Sequence, residues 1–171
     1  MKIQPMSVKR QSGKNMINYD LNKMLYTLTP DEHEPEAIRR ILGAHPEVRF
    51  VSLAGVDMGN HCTDEKIPIS LFIEDAEKIL RDGVQTDGSS VALPKIADLS
   101  NARIDILPDR DVNWYVEYNF DNIDYETGLP VGTLRIPAFL RHNDDIMVGS
   151  RTYLKESIKL VEKSLMEMLH E

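Results

Sequence analysis

The segment Thr86-Asp87-Gly88-Ser89-Ser90 has the composition of a loop that could take part in chemistry. Gly88 permits backbone dihedral angles that other residues rarely adopt, and the small serines leave backbone amides accessible. A carboxylate carried on such a loop can extend into a neighbouring surface. The same residue types also occur in ordinary polar loops, so the segment by itself does not define a site.

A second group of carboxylates lies further along the chain. Asp105, Asp109 and Asp111 occur where one predicted strand ends and the next begins. Hard cations bind several oxygen ligands, so a Mg²⁺ or Ca²⁺ site is conceivable here. Pro108 and aspartates are also common turn residues, and a solvated turn is the favoured interpretation.

Other residue types give little indication of a catalytic or metal site. Cys62 is the only cysteine, so no internal disulfide can form, and a reducing, cytoplasmic setting fits best. No ordered base is evident near it in sequence, which argues against a nucleophile. The chain has no phosphate-binding P-loop, dinucleotide glycine pattern or zinc-type spacing. The histidines are scattered, which indicates surface residues rather than ligands, at positions 33, 45, 61, 142 and 170.

Size and charge limit the function classes. The chain has 171 residues, which suits one domain, and 42% of them are hydrophobic, which suits a packed core. Its net charge of −8 argues against nucleic acid as a partner, because phosphate binding needs clustered lysines and arginines. No stretch approaches the roughly 20 apolar residues of a membrane span, and the N-terminus lacks a signal peptide's apolar region.

Three helices are predicted from caps and periodicity. The first begins at Thr29, with Pro30 and Glu32 completing a capping box, and ends at Gly43. The second begins near Ser70 and ends at Gly83. The third begins at Ser150 and has a helical apolar stripe. That stripe consists of Leu154, Ile158, Val161, Leu165 and Met168.

The remaining patterns predict strands and one mixed domain. Strands are predicted over residues 48–53, 62–67, 103–107, 111–118 and 131–136, with residues 83–94 as a loop. We therefore expect an α+β fold, a β-grasp-like twisted mixed sheet with two helices plus a C-terminal amphipathic helix. The expected division is a flexible leader over residues 1–16, one domain over 17–149 and the final helix over 150–171.

Several short motifs resemble, in their order, those of the N-terminal domain of glutamine synthetases. The family has a strand, a D-x-x-G turn, a strand ending in x-I-P, a helix, F-D-G-S-S and then L-x-P-D. The corresponding segments here are Phe50-Val51-Ser52-Leu53, Val56-Asp57-Met58-Gly59, Lys66-Ile67-Pro68, Asp87-Gly88-Ser89-Ser90 and Ile106-Leu107-Pro108-Asp109. Ser150-Arg151-Thr152-Tyr153-Leu154-Lys155 is similar to the P-R-x-x-L-K-R segment that opens the family's catalytic domain. The resemblance covers roughly residues 36 to 169.

The resemblance implies that this chain supplies one side of an active site shared between two subunits. In that family each active site lies between one subunit's catalytic barrel and a neighbour's N-terminal domain in a homo-oligomeric ring. Asp87 corresponds to the aspartate donated across this interface to the ammonium site, and Ser90 to a serine beside it. ATP and Mg²⁺ or Mn²⁺ belong to the barrel, so no cofactor or metal is expected to bind this chain. Alone, it is expected to be non-catalytic.

Two positions depart from the family pattern. Thr86 stands where many members have Phe, so the packing of the loop is expected to differ. A second acid of the family aligns with Ala102 and Arg103 and is therefore not carried over; Asp98, nearby, is not assigned its role.

Other functions stay open. The chain could be a stand-alone β-grasp interaction or regulatory module, or a domain of a related γ-glutamyl-amine ligase. If the C-terminal helix cannot fold back, its apolar stripe should cause concentration-dependent dimerisation.

Overall fold

The computed structural model describes residues 9–12, 15–18, 20–87, 103–143 and 149–169; for residues 9–18 and Asp87 it describes the backbone alone. The strands are β1 (Lys9–Ser12), β2 (Asn15–Asn18), β3 (Thr27–Leu28), β4 (Val48–Val56), β5 (Cys62–Pro68), β6 (Val84–Asp87), β7 (Arg103–Pro108), β8 (Trp114–Ile123) and β9 (Pro130–His142). The α-helices are α1 (Pro35–Gly43), α2 (Ile69–Glu74), α3 (Ala76–Asp82) and α4 (Ser150–Leu169).

The long strand β9 is the centre of the main sheet. One of its edges pairs with β4 in parallel, and β4 then pairs with β5 in an antiparallel hairpin. The other edge pairs first with β8 and then with β7, both antiparallel. β3 pairs with β8 and β6 with β7. The sheet is therefore mixed, and the predicted α+β class with a twisted mixed sheet is confirmed.

The core forms where alternating strand residues meet the short helices. Along β9, buried Leu134, Ile136, Ala138 and Leu140 alternate with half-buried neighbours, as expected for a strand that buries one face. Ile38 and Leu42 of α1 and Phe72 of α2 join the same cluster, together with Val51 and Leu53 of β4, Ile104 and Ile106 of β7, and Trp114 of β8.

The helix predictions hold with corrections to their bounds. The Thr29 backbone N–H donates to the Glu32 carboxylate at 2.9 Å, but this turn is a 3₁₀ helix (Pro30–Glu32), and the α-helix begins only at Pro35. The predicted second helix is two helices, α2 and α3, divided at Asp75. Gly43 is the last residue of α1 and has no positive φ, so a left-handed glycine does not end this helix.

Two further segments differ from the sequence prediction. Residues 84–87, predicted as part of a loop, form β6. The predicted leader over residues 1–16 contains β1 and the start of β2, which pair with each other. Among the described residues, no helix is long and apolar enough to cross a membrane.

Candidate functional site

Strand β6 determines where the Asp87 loop begins. β6 is antiparallel to β7, with Asp87 opposite Arg103 and Thr86 opposite Ile104. Asp87 is therefore the last residue of a strand of the main sheet. Ser90, the other predicted site residue, lies outside the described residues, as do Ala102 and Asp98.

Gly83 controls the entry of the chain into β6. Its φ of +78° is in the region that favours glycine. A Cβ at this position would lie 2.5 Å from the backbone oxygen of Ile106 on the neighbouring strand. The close approach lets the chain leave α3 and pair at once with β7, so Gly83 positions β6 and hence the backbone of Asp87.

Thr86 packs inward at the position where the resembled family has Phe. It is buried, next to Asp87 and opposite Ile104, which is fully buried. The expected difference in packing from the family stays a prediction.

A cavity of about 280 Å³ lies beside β6, between α3 and the paired strands. Its charged lining consists of Lys78 and Asp82 from α3, Asp75 between α2 and α3, and Arg103 and Asp105 from β7. Ile79 and Val84 contribute apolar surface to the cavity wall. Its lining includes Val84 and Gln85 of β6, the strand that ends at Asp87.

Asp105 is a buried carboxylate held by two arginines. Its Oδ1 accepts from Arg103 Nε at 3.0 Å, and its Oδ2 accepts from Arg141 Nη2 at 3.0 Å. Arg141 Nη2 also donates to the backbone oxygen of Asp82 at 2.7 Å, which joins β9 to the end of α3. Sequence reasoning missed Arg141; only the register, in which Asp105 lies opposite Arg141, brings it to the site.

Asp109 is the centre of a second ion-pair cluster. Its side chain has no exposed surface and contacts Arg151 Nη2 at 2.7 Å and Lys155 Nζ at 3.4 Å, both on α4. Its backbone oxygen accepts from the Trp114 indole at 2.8 Å, and its backbone N–H donates to Pro137 at 2.8 Å. Asp109 therefore connects α4 with β8 and β9.

These contacts correct the interpretation of the three aspartates. Asp111, with 82% of its side chain exposed, fits the favoured solvated turn and pairs with Lys155. Asp105 and Asp109 do not fit it, because both are buried and neutralised by cationic side chains. In the ranges that the structure describes, no group of three His, Cys, Asp or Glu residues could hold a metal ion.

The histidine prediction is wrong for His33. This residue is fully buried and stacks on Trp114, with ring centroids 3.6 Å apart. Its two ring nitrogens lie 3.1 Å and 3.3 Å from the backbone oxygens of Arg110 and Leu28. Burial lowers its pKa below the ordinary 6.5, against the opposing effect of these carbonyls. His33 thus has a structural position, and Cys62 is exposed at the start of β5.

No protein-family model matches the chain, and no curated protein matches it. Among solved structures, its fold is similar to that of a Plasmodium falciparum glutamine synthetase determined by cryo-electron microscopy, with a TM-score of 0.57 and 18% sequence identity. The similarity covers 83% of this chain and 24% of that chain, so this chain spans about a quarter of the length of that protein. At this identity the comparison establishes a glutamine synthetase-like fold.

Proposed function

We propose that this chain is a glutamine synthetase-related domain whose Asp87 serves an ammonium site completed by a neighbouring subunit. The observation that carries the proposal is the agreement between two independent features. The fold is glutamine synthetase-like, and the first residue of the Asp-Gly-Ser-Ser motif, Asp87, is the last residue of a strand of the main sheet. Either feature alone would support much less, because folds host many functions and short motifs recur by chance.

The proposed chemistry of Asp87 is that of a positioned carboxylate. Its negative charge favours ammonium over neutral ammonia, and it then accepts a proton from the bound ammonium. The ammonia released in this way is held close to γ-glutamyl phosphate, which it attacks. Ser90 is proposed to line the same ammonium site. The role of this chain is therefore proton acceptance and positioning, together with an oligomer surface.

The nucleotide and its metal are proposed to bind elsewhere. The described acidic residues do not fit a divalent cation, because Asp105 and Asp109 are already neutralised by arginine and lysine side chains. We therefore assign ATP and Mg²⁺ or Mn²⁺ to the catalytic domain of a full-length parent, and we propose that the partners are such domains in a homo-oligomeric ring. The isolated chain should form no glutamine, since its described residues include no group of three His, Cys, Asp or Glu that could hold the metal ion needed for phosphoryl transfer.

The test begins with the gene. An open reading frame that continues past codon 171 into a catalytic domain would allow the whole product to be assayed for glutamine formation from ATP, glutamate and ammonia. In that protein Asp87→Ala should lower turnover by roughly 100-fold or more, the range expected for loss of a general base. Gln85→Ala, at an exposed position of the same strand, is the matched control and should change turnover by less than about twofold.

Two results would contradict the proposal. One is an Asp87→Ala protein with unchanged turnover and unchanged ammonium dependence. The other is glutamine formation by the purified 171-residue chain alone. The melting temperatures of both variants should stay close to that of the parent, which separates lost chemistry from lost folding.

An interaction module is the second candidate, and the exposed apolar face of α4 favours it. A stop codon directly after codon 171, together with binding of this chain to an intact glutamine synthetase, would support a regulatory role instead. Binding can be measured by titrating the chain into the purified enzyme and following both sedimentation and activity.

A further inference from the structure

Helix α4 contacts the described domain only through its first turns. Ser150 donates to the Val56 backbone oxygen at 3.1 Å, and Arg151 and Lys155 bind Asp109. Thr152 is the one buried residue of the helix, and every residue from 156 to 169 is exposed. The 20-residue helix is about 30 Å long, so most of its length projects from the domain.

The projecting part has a regular apolar seam. The α4 seam consists of Leu154, Ile158, Val161, Leu165 and Met168, whose spacings of 4, 3, 4 and 3 residues are those of a coiled-coil heptad. Their side chains are 48% to 64% exposed. At about 100 Å² of apolar surface each, two seams would bury roughly 1,000 Å², the lower limit for a specific interface.

The residues beside the seam favour antiparallel pairing with a second copy. When Leu154 of one helix packs on Leu165 of the other, Ile158 packs on Val161, and the same two layers recur by two-fold symmetry. This register brings Lys155 of one helix, which also pairs with Asp109 and Asp111 of its own copy, next to Glu162 of the other, twice, with opposite charges. On the other side of the seam, the register places Ser157 of one helix beside Ser164 of the other. Both side chains are small, which lets the helices approach closely. A parallel pair would have no such charge match.

A cavity of about 430 Å³ lies at the base of α4. Its walls include Ser150, Arg151 and Leu154 of the helix, and Ala54, Val56, Tyr115, Pro137 and Ala138 of the sheet. With Leu165 of the second copy on Leu154, its Met168 and Leu169 lie beside Arg151 and Ser150, at the mouth of this cavity. Met168 is already counted in the seam, so burial of Leu169 as well would take the interface above roughly 1,000 Å².

We infer that the occupant of this apolar surface is a second copy of the chain. Two α4 helices pair antiparallel through the α4 seam, and each inserts its C-terminal Met168 and Leu169 into the cavity at the base of the other. The inference uses no residue of the Asp87 loop, and it concerns the 171-residue chain, whereas the proposed function concerns a full-length parent.

The first experiment measures association of the full chain by sedimentation over a range of concentrations. The wild type should pass from monomer to dimer as concentration rises. Val161→Glu should weaken the dimer by about tenfold or more, because it buries a charge in the seam. Leu160→Glu is the matched control: it is adjacent, similarly exposed to solvent, outside the seam, and keeps helix propensity similar. Its effect should be below about threefold.

The second experiment tests the register. In a Cys62→Ser background, Leu154→Cys and Leu165→Cys are prepared as separate proteins and oxidised alone and after mixing. Antiparallel pairing forms a disulfide only in the mixture, because positions 154 and 165 face each other and like positions are about 16 Å apart along the axis. Disulfides within each separate protein would show parallel pairing and overturn the inference. A wild type that stays monomeric at every concentration, or equal effects of the two glutamate variants, would also overturn it.

Discussion

Asp109 is the residue whose structural role contrasts most with its appearance in the sequence. It follows a proline and stands in a run of aspartates, yet its side chain is completely buried. Its carboxylate binds two cationic side chains of α4. Its backbone oxygen accepts a hydrogen bond from the Trp114 indole, and its backbone N–H donates to the Pro137 carbonyl. A buried carboxylate of this kind is costly to remove, because the cations and donors around it lose their partner.

We expect Asp109→Asn to lower the free energy of unfolding by about 2 kcal/mol, since it removes the charge and keeps the shape. Urea unfolding followed through Trp114, the only tryptophan, measures this directly. Asp111→Asn is the control; its exposed side chain should contribute less than about 0.5 kcal/mol. Equal effects of the two substitutions would contradict the assigned role of Asp109.

His33 should make stability depend on pH. Burial lowers its pKa below 6.5, with Arg110 acting in the same direction and Glu32 in the opposite one. As pH falls through 6.5, the unfolded chain takes up a proton that the folded chain excludes, so stability falls. Between about pH 7.5 and about pH 5.5, His33→Gln should reduce this loss relative to the wild type. Parallel stability–pH curves for the two proteins would show that His33 does not contribute.

At the level of elements, the most consequential feature is the short connection from α3 to β6. The helix ends at Asp82, Gly83 reverses the chain, and pairing with β7 starts at Val84. Because Gly83 alone separates the helix from the strand, the position of the Asp87 backbone depends on Gly83. Arg141 supports the same junction by holding the Asp82 carbonyl.

Gly83→Ala should destabilise the protein by about 2 kcal/mol or more, because the new Cβ meets the Ile106 carbonyl at a backbone φ that disfavours alanine. Gly43→Ala is the matched control: it lies in a helix, and its Cβ would meet no atom within 4 Å. It should be neutral or stabilise by about 0.5 kcal/mol, through better helix propensity. Thermal unfolding of both variants checks the pair; a tolerated Gly83→Ala would contradict the argument.

At the level of the whole molecule, the core and the projecting helix contribute to different properties. The sheet and helices α1 to α3 bury the apolar cluster, whereas α4 adds contacts only near its first turns. Ending the chain after Ser157 retains Arg151 and Lys155 and removes four residues of the α4 seam. We expect the melting temperature at low concentration to change by less than about 3 °C. Sedimentation should show a monomer at concentrations where the full chain dimerises, and unfolding of the shortened chain would contradict this division.

Local patterns were sufficient to predict most elements. The capping box at Thr29 and Glu32 and the alternation of Trp114, Val116 and Tyr118 depend on neighbours in sequence, and all are present in the structure. The α4 seam is likewise a property of helical spacing alone. The order of short motifs was enough to expect a glutamine synthetase-like fold, which the structural comparison supports.

The sequence by itself therefore determined the types of most elements, the mixed α+β class and the existence of an amphipathic final helix, because hydrophobic periodicity and caps act within a few residues. Only the tertiary structure decided that β6 ends at Asp87, that Asp105 meets Arg141, that Asp109 anchors α4 and that His33 is buried on Trp114. Each of these depends on strand register or on packing between segments far apart in the chain. Such contacts are selected by the energy of the whole core, and no local pattern encodes them.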